Sequence, residues 1–413
     1  MENTILQEQD KAVADIIRRE EDRQSNELEL IASENYASLA VRSALSSVLT
    51  NKYSEGYPGK RYYGGNNIID EVELLAIARA KELFQAEHVN VQPLSGSPAN
   101  AAVYMAFLEP GDKVLGLRLD HGGHLSHGHS VNFSGRLYNF VQYGVDSKTG
   151  FIDMEEVRRV ALVERPKMIV AGFSAYSREI DWAAFKDIAE EIGAYTFADI
   201  AHIAGLIAGK QLINPVPLFD VVSTTTHKTL RGPRGAMIMC KEQYAKQVDR
   251  AVFPGMQGGP HDNVTAAKAV AFAEALRPEF KEYSRQVIVN AQALSTALIG
   301  RGYRIVSGGT DNHLFVVDLS AQNLAGKEAE RALETVGISV SRSTIPNDPN
   351  PPLNPSGVRI GTPAVTTRGL KEAEMLILAE IIDEAIKNRQ DEERLQELKQ
   401  ATANLCRHFP LPA

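Results

Sequence analysis

Between residues 70 and 280, short apolar runs alternate with longer stretches whose apolar positions recur every three or four residues. The runs at 114–117, 167–171, 194–198, 221–225 and 236–240 have the length and β-branched content of buried strands. The stretches at 69–84, 98–108 and 181–192 have a helical period. This alternation predicts a mainly parallel sheet covered by helices. At Arg277-Pro278 the pattern changes: a long helix over 279–299 leads to Gly300-Arg301-Gly302, then to further alternation with a strand over 313–319. Near the start, Val13, Ile16 and Ile17 stand at helical spacing among charges, an amphipathic arm suited to packing on a neighbour or a partner subunit. We expect an arm over 1–27, a large α/β unit over 28–279 and a smaller α/β unit over 280–413. A proline-rich loop at 346–355 falls inside the last.

The 413 residues are 44% hydrophobic and 23% charged, ordinary for a globular protein. No apolar run nears the ~18 residues of a membrane span. Acidic and basic residues mixed through the first 21 positions suit neither a signal peptide nor a transit peptide. Two cysteines, Cys240 and Cys406, make no disulfide framework, so a cytoplasmic location is expected. A formal net charge of -8 argues against nucleic acid as the main partner.

Three segments carry candidate chemistry. The strand over 221–225 runs through Thr226-His227 into Lys228 and then a Gly/Pro loop with Arg231 and Arg234. Ligands bind at C-terminal strand ends of open parallel sheets. A lysine there, beside arginines, can lose its proton and form a Schiff base, although a lone lysine is more often a solvated surface group. Asp199 ends the preceding strand, with His202 three residues on; a carboxylate there can pair with a protonated pyridine nitrogen or simply cap the next helix. Leu94-Ser95-Gly96-Ser97-Pro98 opens a helix, which can cradle a phosphate or be an ordinary helix start. Cradle, acid and lysine, in that order, are what a phosphorylated pyridine aldehyde needs.

Three further stretches qualify this picture. Four histidines fall between His121 and His129, an invitation to metal. The segment lacks a carboxylate or cysteine and is broken by glycines, so no metal is expected, and one imidazole is read as stacking on an aromatic cofactor. Residues 51–65 crowd Tyr53, Tyr57, Tyr62 and Tyr63 around glycines and Glu55, which suits an interface loop, a proton-handling site, or both at once. Arg359 sits mid-strand in Gly357-Val358-Arg359-Ile360-Gly361. A buried guanidinium calls for a carboxylate, and its planar fork suits that of a substrate.

Taken together, Leu30-Ile31-Ala32-Ser33-Glu34-Asn35, Lys52 to Gly65, His121 to Leu125, Ala198 to His202, Thr224 to Gly235, Phe253 to Pro260 and Arg359 to Pro363 resemble serine hydroxymethyltransferases. The likeness runs from about Leu28 to Ile386. It implies an aspartate-aminotransferase-like (PLP fold type I) α/β enzyme of one-carbon metabolism that moves the serine hydroxymethyl group to tetrahydrofolate. Pyridoxal 5'-phosphate would sit on Lys228. The resemblance implies Asp199 at the pyridine nitrogen, His124 stacked on the ring, and Ser174 and His202 at its phenolic oxygen. Ser95, Gly96 and His227 would hold the phosphate, joined by Tyr53 and Gly259 from a second subunit. Ser33 and Arg359 would take the amino-acid carboxylate, and Thr225 would position Lys228. Glu55 and Tyr63, again from the second subunit, would handle the serine hydroxyl, with Glu55 kept protonated by an apolar pocket. Leu119, Gly123 and Leu125 would contact folate. A homodimer with shared sites, alone or within a tetramer, follows. Ser341-Arg342-Ser343 stands where the family usually has Asn-Lys-Asn, Leu353 where it more often has Phe, and residues 260–263 form a less common version of their loop. The alternative is therefore a folate-independent β-hydroxy amino-acid aldolase or α-methylserine hydroxymethyltransferase; a binding protein that kept the fold without activity is a third reading.

Overall fold

The computed structural model describes residues 2–412. Seven strands form the main sheet: β1 (His88–Asn90), β2 (Lys113–Leu117), β3 (Asn139–Tyr143), β4 (Met168–Gly172), β5 (Tyr195–Asp199), β6 (Val221–Thr225) and β7 (Ala236–Cys240). Their order across the sheet is β1-β7-β6-β5-β4-β2-β3. Only β7 runs against its neighbours. Strands β4 to β7 read as continuous apolar or β-branched runs because helices cover both faces and nearly every position is buried. The sequence-based strand boundaries agree within one residue, and 221–225 and 236–240 coincide.

The helices that matter for the site begin with α1 (Lys11–Asn26), α2 (Asn67–Phe84) and α3 (Gly96–Phe107). Further on come α4 (Trp182–Ile192), α5 (Asp262–Ala275) and α6 (Pro278–Gly300). Helix α4 shows how local chemistry sets these limits. Asp181 accepts from the Ala184 N–H at its start, and Gly193 closes it in the left-handed region at φ 73°.

A second, antiparallel sheet has the order β8-β9-β11-β10, with β8 (Arg304–Ile305), β9 (Leu314–Asp318), β10 (Ser341–Ser343) and β11 (Gly357–Gly361). Its core is separate and includes Phe315, Val317, Val358 and Ile360. Leu28 and Leu30 also belong to this core, since Leu28–Glu29 pairs in parallel with Ile338–Ser339. Helix α6 joins the two cores, burying Phe280, Tyr283 and Val287 in the first and Leu294 and Leu298 in the second. No helix among the described residues is long and apolar enough to cross a membrane.

Candidate active site

Registers within the main sheet place the chemistry. Asp199, at the C-terminal end of β5, lies between Gly172 of β4 and Ser223 of β6. Lys228 follows the end of β6 by three residues, and Gly96 begins α3 after β1. The loop around Ser174, which follows β4, and β11 of the second sheet, which carries Arg359, contribute to the same cavity. The result is a cavity of about 380 Å³ lined by Ser33, Ser95, Gly96, Ser97, Asn100, His124, Phe173, Ser174, Asp199, Ala201, His202, Thr225, His227, Lys228, Arg234 and Arg359.

Asp199 is 7% exposed, and both its oxygens are engaged. Oδ1 accepts from the Ala201 N–H two residues on, a local turn and not a helix cap: the next helix, Ala204–Ala208, starts from Ile203 with no side-chain cap, so the capping alternative does not hold. Oδ2 accepts from Asn100 at 2.8 Å and faces His127 Nε2 at 3.1 Å. Burial alone would push the carboxyl up, but the His127 hydrogen bond and charge, with His124 and the Asn100 amide, hold it well below the usual carboxylate range. The acid is an anion at any working pH. The fold therefore supplies the carboxylate that the 121–129 segment lacks: ligating atoms of His124, His127 and Asp199 lie within 4.8 Å of one another. That part of the sequence argument against a metal does not hold.

The half-buried Lys228 amine faces the cavity without a hydrogen-bond or ion-pair partner among the described residues. Burial pulls it down to about 8, with Arg359 and Arg234 adding to the fall and Asp199 opposing it. Behind it, Asn35 donates to the Lys228 carbonyl at 3.0 Å, tying the 30–35 segment to the lysine loop. Beside it, Thr225 Oγ1 donates to the Ala201 carbonyl.

Three histidines line the cavity as neutral rings. Burial, then His127, lowers His124 to about 4. Burial, then Arg234 and Lys228, lowers His227 to about 3. His227 Nε2 lies 3.1 Å from Arg234 Nη1, and because guanidinium can only donate, Nε2 accepts and the ring proton resides on Nδ1. His202 is pushed far down by burial and by Lys228, and its Nδ1 meets His313 Nε2 at 3.2 Å.

Arg359 spends Nη1 on the Ser174 carbonyl at 2.7 Å and Nε on Ser341 Oγ at 3.2 Å. No protein carboxylate pairs with it among the described residues, and burial lowers it to about 10, still a cation. At the other end, Ser95 caps α3 without using its side chain on the helix; the Ala99 N–H donates to the Ser95 carbonyl and Pro98 has none to offer, which leaves that hydroxyl and the Gly96 and Ser97 N–H groups free. A Cβ on Gly96 would lie 2.9 Å from Thr225 Cγ2, so only glycine lets the cradle approach β6.

Eleven of the residues singled out from the sequence line this cavity: Ser33, Ser95, Gly96, His124, Ser174, Asp199, His202, Thr225, His227, Lys228 and Arg359. Tyr53, Glu55, Tyr63 and Gly259 do not. They form a cluster of their own, with Tyr53 and Tyr63 edge to face at 5.2 Å and Tyr53 Oη donating to Glu55 at 3.3 Å. A Cβ on Gly259 would meet the Tyr53 ring at 3.4 Å. Leu119, Gly123 and Leu125 also lie off the lining. Their loop abuts it through Gly122, whose carbonyl accepts from the Ser174 and Ala175 N–H groups.

His127, Asn100 and His313 were missed as site residues. His127 was in view as one of four histidines, but nothing local marks which of them meets Asp199. Asn100 lies two residues beyond the Leu94-to-Pro98 helix start, and nothing in the sequence marks it.

Against models of known families, the chain matches that of "Serine hydroxymethyltransferase" over residues 6–382.

Proposed function

The chain belongs to the serine hydroxymethyltransferase family, and from that premise we propose that it transfers the hydroxymethyl group of serine to tetrahydrofolate, giving glycine and 5,10-methylenetetrahydrofolate. Members of this family are pyridoxal-phosphate enzymes with serine, glycine and folate as substrates, and the mixed α/β fold with its large, mainly parallel sheet is that of fold type I.

The observation that carries the reading is one cavity holding an unpaired amine, a carboxylate kept ionised, and a guanidinium without a protein counter-ion. The donor set fits pyridoxal phosphate. Its phosphate suits the free α3 N-terminus with Ser95, Gly96 and the Nδ1–H of His227, an orphan buried donor. Neutral His124 suits a ring face, and Asp199 a ring N–H. Pyridoxal phosphate, when bound, supplies an electron sink for the pair released as the serine Cα–Cβ bond breaks.

The chain's own residues do the rest. Lys228, whose amine is free of protein partners and partly deprotonated near pH 8, would be the residue that holds the cofactor. Asp199 holds the proton on the pyridine nitrogen, which sets how strongly the ring draws electrons. Arg359 and Ser33 grip the substrate carboxylate, and this grip fixes which bond at Cα stands across the ring. His202, propped by His313, and Ser174 would hold the cofactor's phenolic oxygen. Thr225 keeps Lys228 in place. Glu55 and Tyr63 of a second copy hold and move the hydroxyl proton of serine, with Tyr53 and Gly259 reaching the phosphate, so the active form is a homodimer. Leu119, Gly123 and Leu125 form the folate wall.

The test is glycine formation from serine with and without tetrahydrofolate, alongside a visible absorption titration with pyridoxal phosphate. Strong folate dependence supports the transferase. Turnover that ignores folate points to the aldolase alternative, towards which the small Ser341 and Ser343 and the 86% exposed Leu353 incline.

A further inference from the structure

Lys268 lies on α5, and nothing in the reaction above uses it. Its side chain is among the largest fully buried ones, at 1% exposure. No carboxylate pairs with it among the described residues. Instead its Nζ lies 2.6 Å from the Val91 carbonyl, 2.8 Å from that of Ala236 and 3.1 Å from that of Pro93. Three acceptors need three N–H donors: an ammonium has them and a neutral amine has two. Burial pulls the group down to about 7, with the field of Glu73 opposing. The three carbonyl dipoles favour the proton further, because losing it would set a lone pair against one of those oxygens.

The owners of these carbonyls give the arrangement its meaning. Val91 and Pro93 lead into Ser95 and Gly96, the cradle at the start of α3. Ala236 directly follows the 226–235 loop that carries His227 and Lys228. The two segments touch otherwise through the Ala236 N–H to the Pro93 carbonyl at 3.2 Å. Gly235 packs against the lysine shaft, since a Cβ there would lie 2.6 Å from Lys268 Cε. One buried amine thus sits beneath both halves of the cavity floor.

We propose that Lys268 acts as a built-in monovalent cation: its ammonium fills a carbonyl cage that clamps the cradle segment to the loop bearing Lys228, and a potassium or ammonium ion can take its place when the side chain is cut back. It is a positioning residue, acting through backbone. The cage stands on geometry alone, whereas its effect on cofactor binding rests on the functional reading above.

The experiment uses full-length Lys268→Ala, melted without added cofactor in chloride salts of potassium, ammonium or tetramethylammonium at equal ionic strength. The variant is expected to melt below wild type and to be raised by potassium or ammonium, while wild type ignores the cation. Pyridoxal-phosphate affinity, read by absorption titration, should weaken about tenfold in tetramethylammonium and recover in potassium. Lys268→Met, which keeps the bulk and removes the charge, should be weakened and deaf to all three cations. A Lys268→Ala chain indifferent to cation identity, or a Lys268→Met chain with wild-type melting and affinity, overturns the proposal. If Lys268→Ala does not fold, the Nζ resonance of wild type decides: an ammonium at pH 8 supports the cage, and a neutral amine there overturns it. A wild type that binds no pyridoxal phosphate, with cation-specific melting of the variant intact, would sink the functional reading and spare the cage.

Discussion

The floor of the cavity around Asp199 and the surface cluster around Tyr53 are both rich in polar groups, and they are finished in different ways. Around Asp199 the partners come from the same chain: Asn100, His127 and the Ala201 N–H take both carboxylate oxygens, and Ser223 in turn donates to Asn100 at 2.6 Å. Around Tyr53 the rings stand in water, with Tyr53 55%, Tyr62 73% and Tyr63 49% exposed. Yet that cluster is held on a rigid stem. Arg61, almost wholly buried, binds Asp70 at 2.8 Å, Glu73 at 2.6 Å and the carbonyls of Ser54 and Gly56. A buried polar group has to find its partners within the fold, or its desolvation goes uncompensated. An exposed aromatic cluster on a stiff support is under no such demand, and it is suited to finishing a surface that belongs to another molecule.

The comparison breaks or sharpens by experiment, and the largest effect lies at the floor. Lys228→Ala should lower serine turnover by at least ~10³-fold, since no other cavity amine can take its place. Near wild-type turnover would remove the floor from the chemistry. Next, Glu55→Gln alone should be nearly inactive, yet mixing it with Lys228→Ala should restore activity. Random pairing makes half the dimers mixed, each with one sound site, or roughly a quarter of wild-type activity. No recovery on mixing would place the surface cluster in its own chain's site and undo the contrast.

A smaller effect is set by pH. Because Lys228 is pulled down to about 8, the free amine that the cofactor needs grows as pH rises through 8, and the rate of pyridoxal-phosphate binding should climb over pH 7 to 9. The sign for stability agrees: the unfolded lysine keeps its proton to about 10.4, so between 8 and that value the unfolded chain binds more protons and this group's contribution to stability rises with pH. A flat binding rate over that range would contradict the depressed amine. The smallest effect is expected of Ser341→Ala, which frees Arg359 Nε. KM for serine should rise only a few-fold, because the Ser174 carbonyl still holds Nη1. A change in kcat alone would mean that Ser341 acts elsewhere.

Much of this could be read from the chain. The buried strands announce themselves by composition, and their ends at Asp199 and near Lys228 follow from the same runs. Arg359 stands out because a charge in an apolar strand needs an explanation. Less legible were residues whose importance comes from what lies opposite. Lys268 looks like any lysine on a helix until three carbonyls from positions 91, 93 and 236 close on it. Ser341 reads as an edge-strand serine until β10 pairs with β11 and sets it against Arg359.

By itself, then, the sequence determined the alternation of strand and helix, the change of pattern near residue 278, and the order of cradle, acid and lysine along the chain. These depend on short-range properties: side-chain period, turn residues and local propensity. The tertiary structure alone decided which histidine meets Asp199, that Arg359 has no protein counter-ion, that Glu55 and its tyrosines stand apart from their own chain's cavity, and that a lysine is caged beneath the floor. Each of these depends on what two distant segments present to each other once water is excluded between them, and neither segment carries that information alone.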